Sequence, residues 1–224
     1  MVNRILVVAA HPDDEILGLG GTLIKHVNQG DEVFCLILGE GVTSREHYGQ
    51  DELDSLYDQC SRAGKIIGFK KIFLSKLPDN KFDSIPLLDI TKEVEKYLKD
   101  IKPDIIFTHH EYDLNIDHQR TFQAVLTACR PCNSDCPKQL LTFETLSSTE
   151  WQKKDCKQFR PNVYTDVENE IHKKIDALNE YKSEIREYPH PRSTEGIKIL
   201  AQFRGLESGL KYAEAFCLVR HIKR

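Results

Sequence analysis

The pentapeptide His11-Pro12-Asp13-Asp14-Glu15 gathers one imidazole and three carboxylates within five residues. Zinc takes histidine nitrogen and carboxylate oxygen, and a catalytic zinc keeps three protein ligands and one open position. Two adjacent aspartates can divide the labour, one binding the metal and the other staying free as a base. The competing account is a turn in which Asp13 or Asp14 caps a helix. A His-Pro pair directly after an apolar run favours the metal account. A second group lies at Thr108-His109-His110-Glu111-Tyr112-Asp113-Leu114-Asn115-Ile116-Asp117-His118. There His118 is the candidate third ligand. His109 and His110 read as supporting groups or packed polar residues.

These clusters need elements that bring them together. Residues 5–10 form a short apolar run rich in β-branched side chains, which reads as a buried parallel strand. Further strands are expected at 33–38, 71–74, 104–108, 139–144 and, late in the chain, 212–219. Helices are expected at 18–28, 51–68, 86–101, 117–129, 167–182 and 193–206, the last with Ser193 as its N-cap. Alternating strands and helices imply βαβ units and a covered parallel sheet. The fold class is therefore α/β, a Rossmann-like three-layer sandwich with a mostly parallel central sheet and a C-terminal elaboration. Residues 1–224 read as one domain. In a 3-2-1-4-5 strand order, strands one and four flank the switch point, so the loops after them would meet in one crevice.

Composition narrows the function. The 224 residues carry 31 Lys+Arg against 35 Asp+Glu, a net charge of -4, so no basic excess points to nucleic acid. The longest aliphatic run is far short of the roughly 20 residues of a membrane span. The first residues lack the order of a signal peptide. Seven cysteines, an odd number at irregular spacing, do not resemble a secreted disulfide framework. The expected location is the cytoplasm. An assembly of copies is compatible with such a fold, but no stretch of sequence marks an interface.

The two clusters together resemble those of the PIG-L/LmbE-like family of zinc-dependent N-deacetylases. Leu38-Gly-Glu-Gly-Val-Thr-Ser-Arg45 looks like that family's substrate loop, and Asp113-Leu-Asn-Ile-Asp-His118 like its second metal motif. Ser147-Ser-Thr-Glu-Trp151, Pro189-His-Pro-Arg-Ser193 and the stretch from Arg204-Gly205 to Tyr212-Ala-Glu-Ala-Phe216 resemble segments of members associated with bacterial sugar pathways. The resemblance implies zinc, with iron(II) as an alternative, held by His11, Asp14 and His118. It implies Asp13 as general base and an N-acetylated amino sugar, free or conjugated, as substrate. Many relatives carry histidine where this chain has Asn115. An amide donates a hydrogen bond but cannot carry a proton through a cycle. Either Asn115 only orients the oxyanion, or His190 or His110 takes the acid role. Arg45, His110 and Arg192 are the candidate substrate contacts, guanidinium being suited to directional bonds with hydroxyls and carboxylates.

Two other patterns carry less. Gly18-Leu-Gly20-Gly21 lacks the last glycine of a dinucleotide fingerprint and falls too far past the strand. Its glycines read as permitting close packing beside the metal loop. Cys129, Cys132 and Cys136, with Cys156, lack the paired spacing of a zinc ribbon.

Overall fold

Alternation along the first strand sets the layers. In the computed structural model, which describes residues 2–44, 49–132 and 136–223, β1 (Arg4–Ala9) sends Ile5, Val7 and Ala9 into one apolar cluster. Leu6 and Val8 enter another on the opposite face, joined by Ala10 just beyond the strand. The period of two is that of a strand, and both faces are buried, as in a parallel sheet. On the first face lie α1 (Asp14–Asn28), α2 (Gln50–Ile67) and α5 (Ile171–Leu178), through residues such as Leu23, Leu56 and Ile175. On the second lie α3 (Leu87–Ile101) and α4 (Ile116–Ala128), through Val94 and Val125. Each fully buried aliphatic side chain contributes about 1.5–3 kcal/mol.

The other strands are β2 (Glu32–Gly39), β3 (Lys71–Leu77), β4 (Ile105–His109), β5 (Gln139–Phe143), β6 (Val163–Asp166) and β7 (Ala213–His221). Their order is β3-β2-β1-β4-β5-β7-β6. The first five pair in parallel, and β7 runs antiparallel to both β5 and β6. The expected α/β sandwich is confirmed, and β1 and β4 are neighbours at the switch point. The C-terminal elaboration adds the β6–β7 ribbon and α6 (Thr194–Ser208). Among the described residues, no helix is long and apolar enough to cross a membrane.

Three expectations need correction. Helix α1 begins at Asp14 instead of 18, because Asp14 and Glu15 occupy a first turn where acidic side chains suit the helix dipole. It is interrupted at Leu19, whose φ of -148° is not helical. The helix expected over 167–182 contracts to Ile171–Leu178. Strand β6, four half-buried residues, was not anticipated, since it has no apolar run. Helix α6 does start behind Ser193, whose Oγ accepts the Gly196 N–H at 2.9 Å. Replacing Ser193 by Ala should cost about 1 kcal/mol. The readout is a lower urea midpoint at unchanged slope; an unmoved midpoint would show that the cap contributes nothing.

Candidate metal centre

The chain leaves β1 at Ala10, whose N–H donates to His109 Nε2 at 2.9 Å. This bond ties the ends of β1 and β4 together. Asp13, next along, sits at φ 103°, ψ -29°. For a residue with a Cβ this left-handed region costs about 1–2 kcal/mol. Such strain persists where the surroundings fix it, and it clusters at functional sites. Here the Asp13 N–H donates to Glu15 Oε2 (3.0 Å), and Asp13 Oδ2 accepts from Arg192 Nη1 (2.9 Å). Asp13 makes no side-chain cap, so the helix-cap account fails for it. Glu15 braces the turn, its other oxygen accepting the buried Tyr181 hydroxyl at 2.7 Å.

Asp14 is the hub. Its Oδ2 accepts the His11 N–H at 2.8 Å. The same oxygen lies 3.3 Å from His11 Nδ1 and 3.2 Å from His118 Nε2. Its Oδ1 is buried without a hydrogen-bond partner. One ligand atom from each of His11, Asp14 and His118 falls within 4.8 Å of the others. A buried carboxylate with two imidazoles at one oxygen and the other oxygen orphaned fits a divalent cation in the His/carboxylate donor class.

The outer nitrogens are also held. His11 Nε2 lies 2.9 Å from Asp117 Oδ2 and 3.2 Å from Asp79 Oδ1. Asp117 is fixed in turn by the N–H groups of Asn80 (2.7 Å) and Phe82 (2.9 Å). His118 Nδ1 lies 3.1 Å from Asp113 Oδ1, within ion-pair reach but off the line of a good hydrogen bond. Asp113 accepts the hydroxyls of Ser148 and Thr149. A carboxylate behind each imidazole fixes its ring and raises its basicity, the usual support of metal-ligating histidines. His11, Asp79 and Asp117 also form a compact trio. Because Asp117 is already occupied by two backbone donors, we read that trio as support for His11.

His109 is wholly buried and stacks on His118 with ring centroids 3.8 Å apart. Since its Nε2 accepts from Ala10, its proton sits on Nδ1, facing Thr145 Oγ1 at 3.2 Å. Burial, and then the charge of His118, push its pKa down to about 4, so it stays neutral. For His11 and His118 burial acts in the same direction, but their carboxylate partners outweigh it and raise them to about 10 and about 9. Asp14 is buried, yet its histidine neighbours hold it well below the usual carboxylate range. Burial drives Asp13 well above that range, against the opposing charge of Arg192.

The structure thus brings His11, Asp13, Asp14 and His118 together. Arg192 Nη1 also lies 3.3 Å from Glu184 Oε2, while its Nε donates to Ser147 Oγ at 2.6 Å, so two of its three guanidinium nitrogens engage protein partners. Asn115 caps α4, its Oδ1 accepting the Asp117 N–H at 2.8 Å, while its Nδ2 faces Asn80 at 3.4 Å. His190 stands edge-on to the exposed Trp151 and accepts the Arg192 N–H at 3.1 Å. His110 Nε2 donates to the Lys157 carbonyl at 3.0 Å. Neither His190 nor His110 has a contact with the His11–Asp14–His118 group among the described residues. Arg45 lies outside the described residues. Sequence reasoning assigned no role to Asp79, Asp113 or Asp117; a place near His109, His110 and His118 could have suggested one for Asp113 and Asp117, but not for Asp79. Among the described residues, Cys35, Cys60, Cys129, Cys136, Cys156 and Cys217 form no disulfide.

Fold and site together describe an α/β protein with a candidate cation site at its switch point, beside a buried carboxylate. The profile of the PIG-L family, described as GlcNAc-PI de-N-acetylase, matches residues 6–129, and the chain belongs to that family. It is 28% identical over 185 residues to the uncharacterized deacetylase YaiS of Escherichia coli K12, covering 80% of this chain and 90% of that one. It is 24% identical over 230 residues to diacetylchitobiose deacetylase of Thermococcus kodakarensis, covering 97% and 84%. The structure of N,N'-diacetylchitobiose deacetylase from Pyrococcus horikoshii, complexed with its inhibitor MPG, superposes with TM-score 0.78 at 21% identity over 97% of this chain and 84% of that one. GalB, a 4-carboxy-2-hydroxymuconate hydratase of Pseudomonas putida, does so with TM-score 0.77 at 18% identity, covering 100% and 98%. Fold alone therefore does not settle the reaction.

The raised histidines generate a pH prediction. Both are protonated near neutrality, and a metal needs each imidazole free on one nitrogen. Cation uptake should release two protons per ion. The apparent affinity should rise with pH, by about 100-fold per unit, until pH nears the lower of the two values. Calorimetry in buffers of different ionisation enthalpy checks this. Uptake without proton release would remove the histidines from the ligand set.

Proposed function

We propose that the protein is a metal-dependent N-deacetylase of amino sugars. The observation that carries this reading is the placement of Asp13. It is a buried carboxylate next in sequence to Asp14, held by Arg192 and left out of the His11–Asp14–His118 group. Membership of a deacetylase family and the substrate of the diacetylchitobiose relative support the sugar acetamide. Zinc fits the two-histidine, one-carboxylate donor set. When bound, such an ion supplies Lewis acidity for a carbonyl and lowers the pKa of water toward about 7.

The chain's own groups then have distinct tasks. Asp13 accepts a proton from the attacking water as the new C–O bond forms at the acetyl carbon. Its raised pKa makes it a stronger base than an ordinary aspartate. When the C–N bond breaks, Asp13 returns that proton to the leaving nitrogen, giving acetate and a free amine. This cycle needs no second acid, which accommodates asparagine at position 115. With Oδ1 engaged in the cap, the Asn115 Nδ2 remains a donor at the rim of the crevice. Arg192 holds Asp13 in place, and substrate selection falls to other groups, Arg45 among the candidates.

The test is acetate release from N-acetylglucosamine and diacetylchitobiose, with and without a chelator. Asp13→Asn should lower kcat by about 10²–10⁴-fold while the metal stays bound. Asp14→Asn should lose metal and activity together. Retention of metal in the Asp14 variant and its loss from the Asp13 variant would overturn the assignment. Bound metal without acetate release from any N-acetyl sugar would move the reading to another amide.

A further inference from the structure

Helix α1 carries Asp14 in its first turn and is broken at Leu19. Three backbone groups around the break are met by buried side chains from the C-terminal third. Glu214 of β7 accepts the Gly21 N–H at Oε1 (2.9 Å) and the Thr22 N–H at Oε2 (2.6 Å). Lys174 of α5 donates to the Leu17 carbonyl (2.9 Å) and to Glu214 Oε1 (2.7 Å). Both residues are at most 4% exposed. The pair thus caps the end of one half-helix and the start of the next. The glycines make this approach possible. A Cβ on Gly21 would lie 2.9 Å from Val167 Cγ1 and 3.2 Å from Glu214 Oε1, and one on Gly18 would strike the Phe143 ring.

We infer that Lys174 and Glu214 are positioning residues for the metal centre, holding the bend in α1 that aims Asp14. The inference rests on the metal reading given above. Both half-helices are anchored in the core, the first through Ile16, Leu17 and Leu19 and the second through Leu23 and Ile24, so the bend between them sets where the half that bears Asp14 points. Leu19 and Asp14 are five residues apart, an arm of about 7.5 Å. A change of only ~10° over that arm displaces Asp14 by about 1.3 Å, whereas metal–ligand distances tolerate about ±0.2 Å. Without the pair, the N–H groups of Gly21 and Thr22 would bond back to Leu17 and Gly18, straightening the helix.

Three variants separate positioning from stability: Glu214→Gln, the double Lys174→Met with Glu214→Leu, and Gly21→Ala, which crowds Glu214 without removing a charge. Each is measured for thermal midpoint, for zinc affinity by chelator competition, and for the visible spectrum of the cobalt(II)-loaded protein. A single change strands a buried charge, whereas replacing both by apolar residues is often tolerated. The double variant should therefore keep a midpoint near wild type, yet bind zinc roughly tenfold or more weakly, with an altered cobalt spectrum. Gly21→Ala should move affinity and spectrum the same way. Folded variants with wild-type zinc affinity and spectrum would overturn the inference. Wild-type protein that takes up neither ion would overturn the metal reading itself, and this inference with it.

Discussion

A buried carboxylate needs counter-charge or hydrogen bonds on every oxygen, and Asp14 has them on one oxygen only. The rest of the centre is organised around that asymmetry. Three imidazoles converge on the satisfied side, and two of them, His11 and His118, have a carboxylate at the far nitrogen. Those carboxylates are held by backbone N–H groups or by hydroxyls. Charge therefore alternates outward from the hub. Removing the far carboxylate of either histidine would leave an imidazole without orientation, and removing Asp14 would leave two facing each other. The orphaned oxygen leaves Asp14 with acceptor capacity that a bound cation would use.

The same logic separates the two adjacent aspartates. Asp14 turns into the helix and toward the histidines, while Asp13 takes a left-handed backbone that sends its carboxylate to Arg192. Adjacent residues with opposed surroundings acquire opposed basicities, a pattern that supports the ligand and base roles proposed for them. Arg192 thus engages Asp13 through Nη1 and Ser147 through Nε.

Much of this was legible in the chain. The apolar runs and the 3-2-1-4-5 order place the ends of β1 and β4 side by side, so histidines following those strands had to meet. His11, the Asp13-Asp14 pair and His118 stood out by type and position, and the choice of Asp14 over Asp13 as ligand came from the family resemblance. The supporting layer could not. Asp79 follows an edge strand with no local mark. Arg192 reaches Asp13 across 179 residues, and Glu214 reaches Gly21 across 193. Such partners are products of the closed fold, invisible to periodicity. The helix break was hidden for a related reason, because three glycines lower helix propensity without saying which peptide will yield. Strand β6 exists because β7 offers it an edge, and its own sequence does not demand it.

The position of β7 bears on how the protein is made. That strand is last in sequence but pairs with β5 and β6 inside the sheet, and Glu214 lies on it. Domains emerge and consolidate from the N-terminus during synthesis, so β1 and α1 leave the ribosome long before their brace exists. Contacts between such distant residues form late, since the intervening loop must close first. The first strand–helix unit is therefore translated early and completed last. Until β7 seats, the N–H groups of Gly21 and Thr22 lack the carboxylate that meets them in the finished fold.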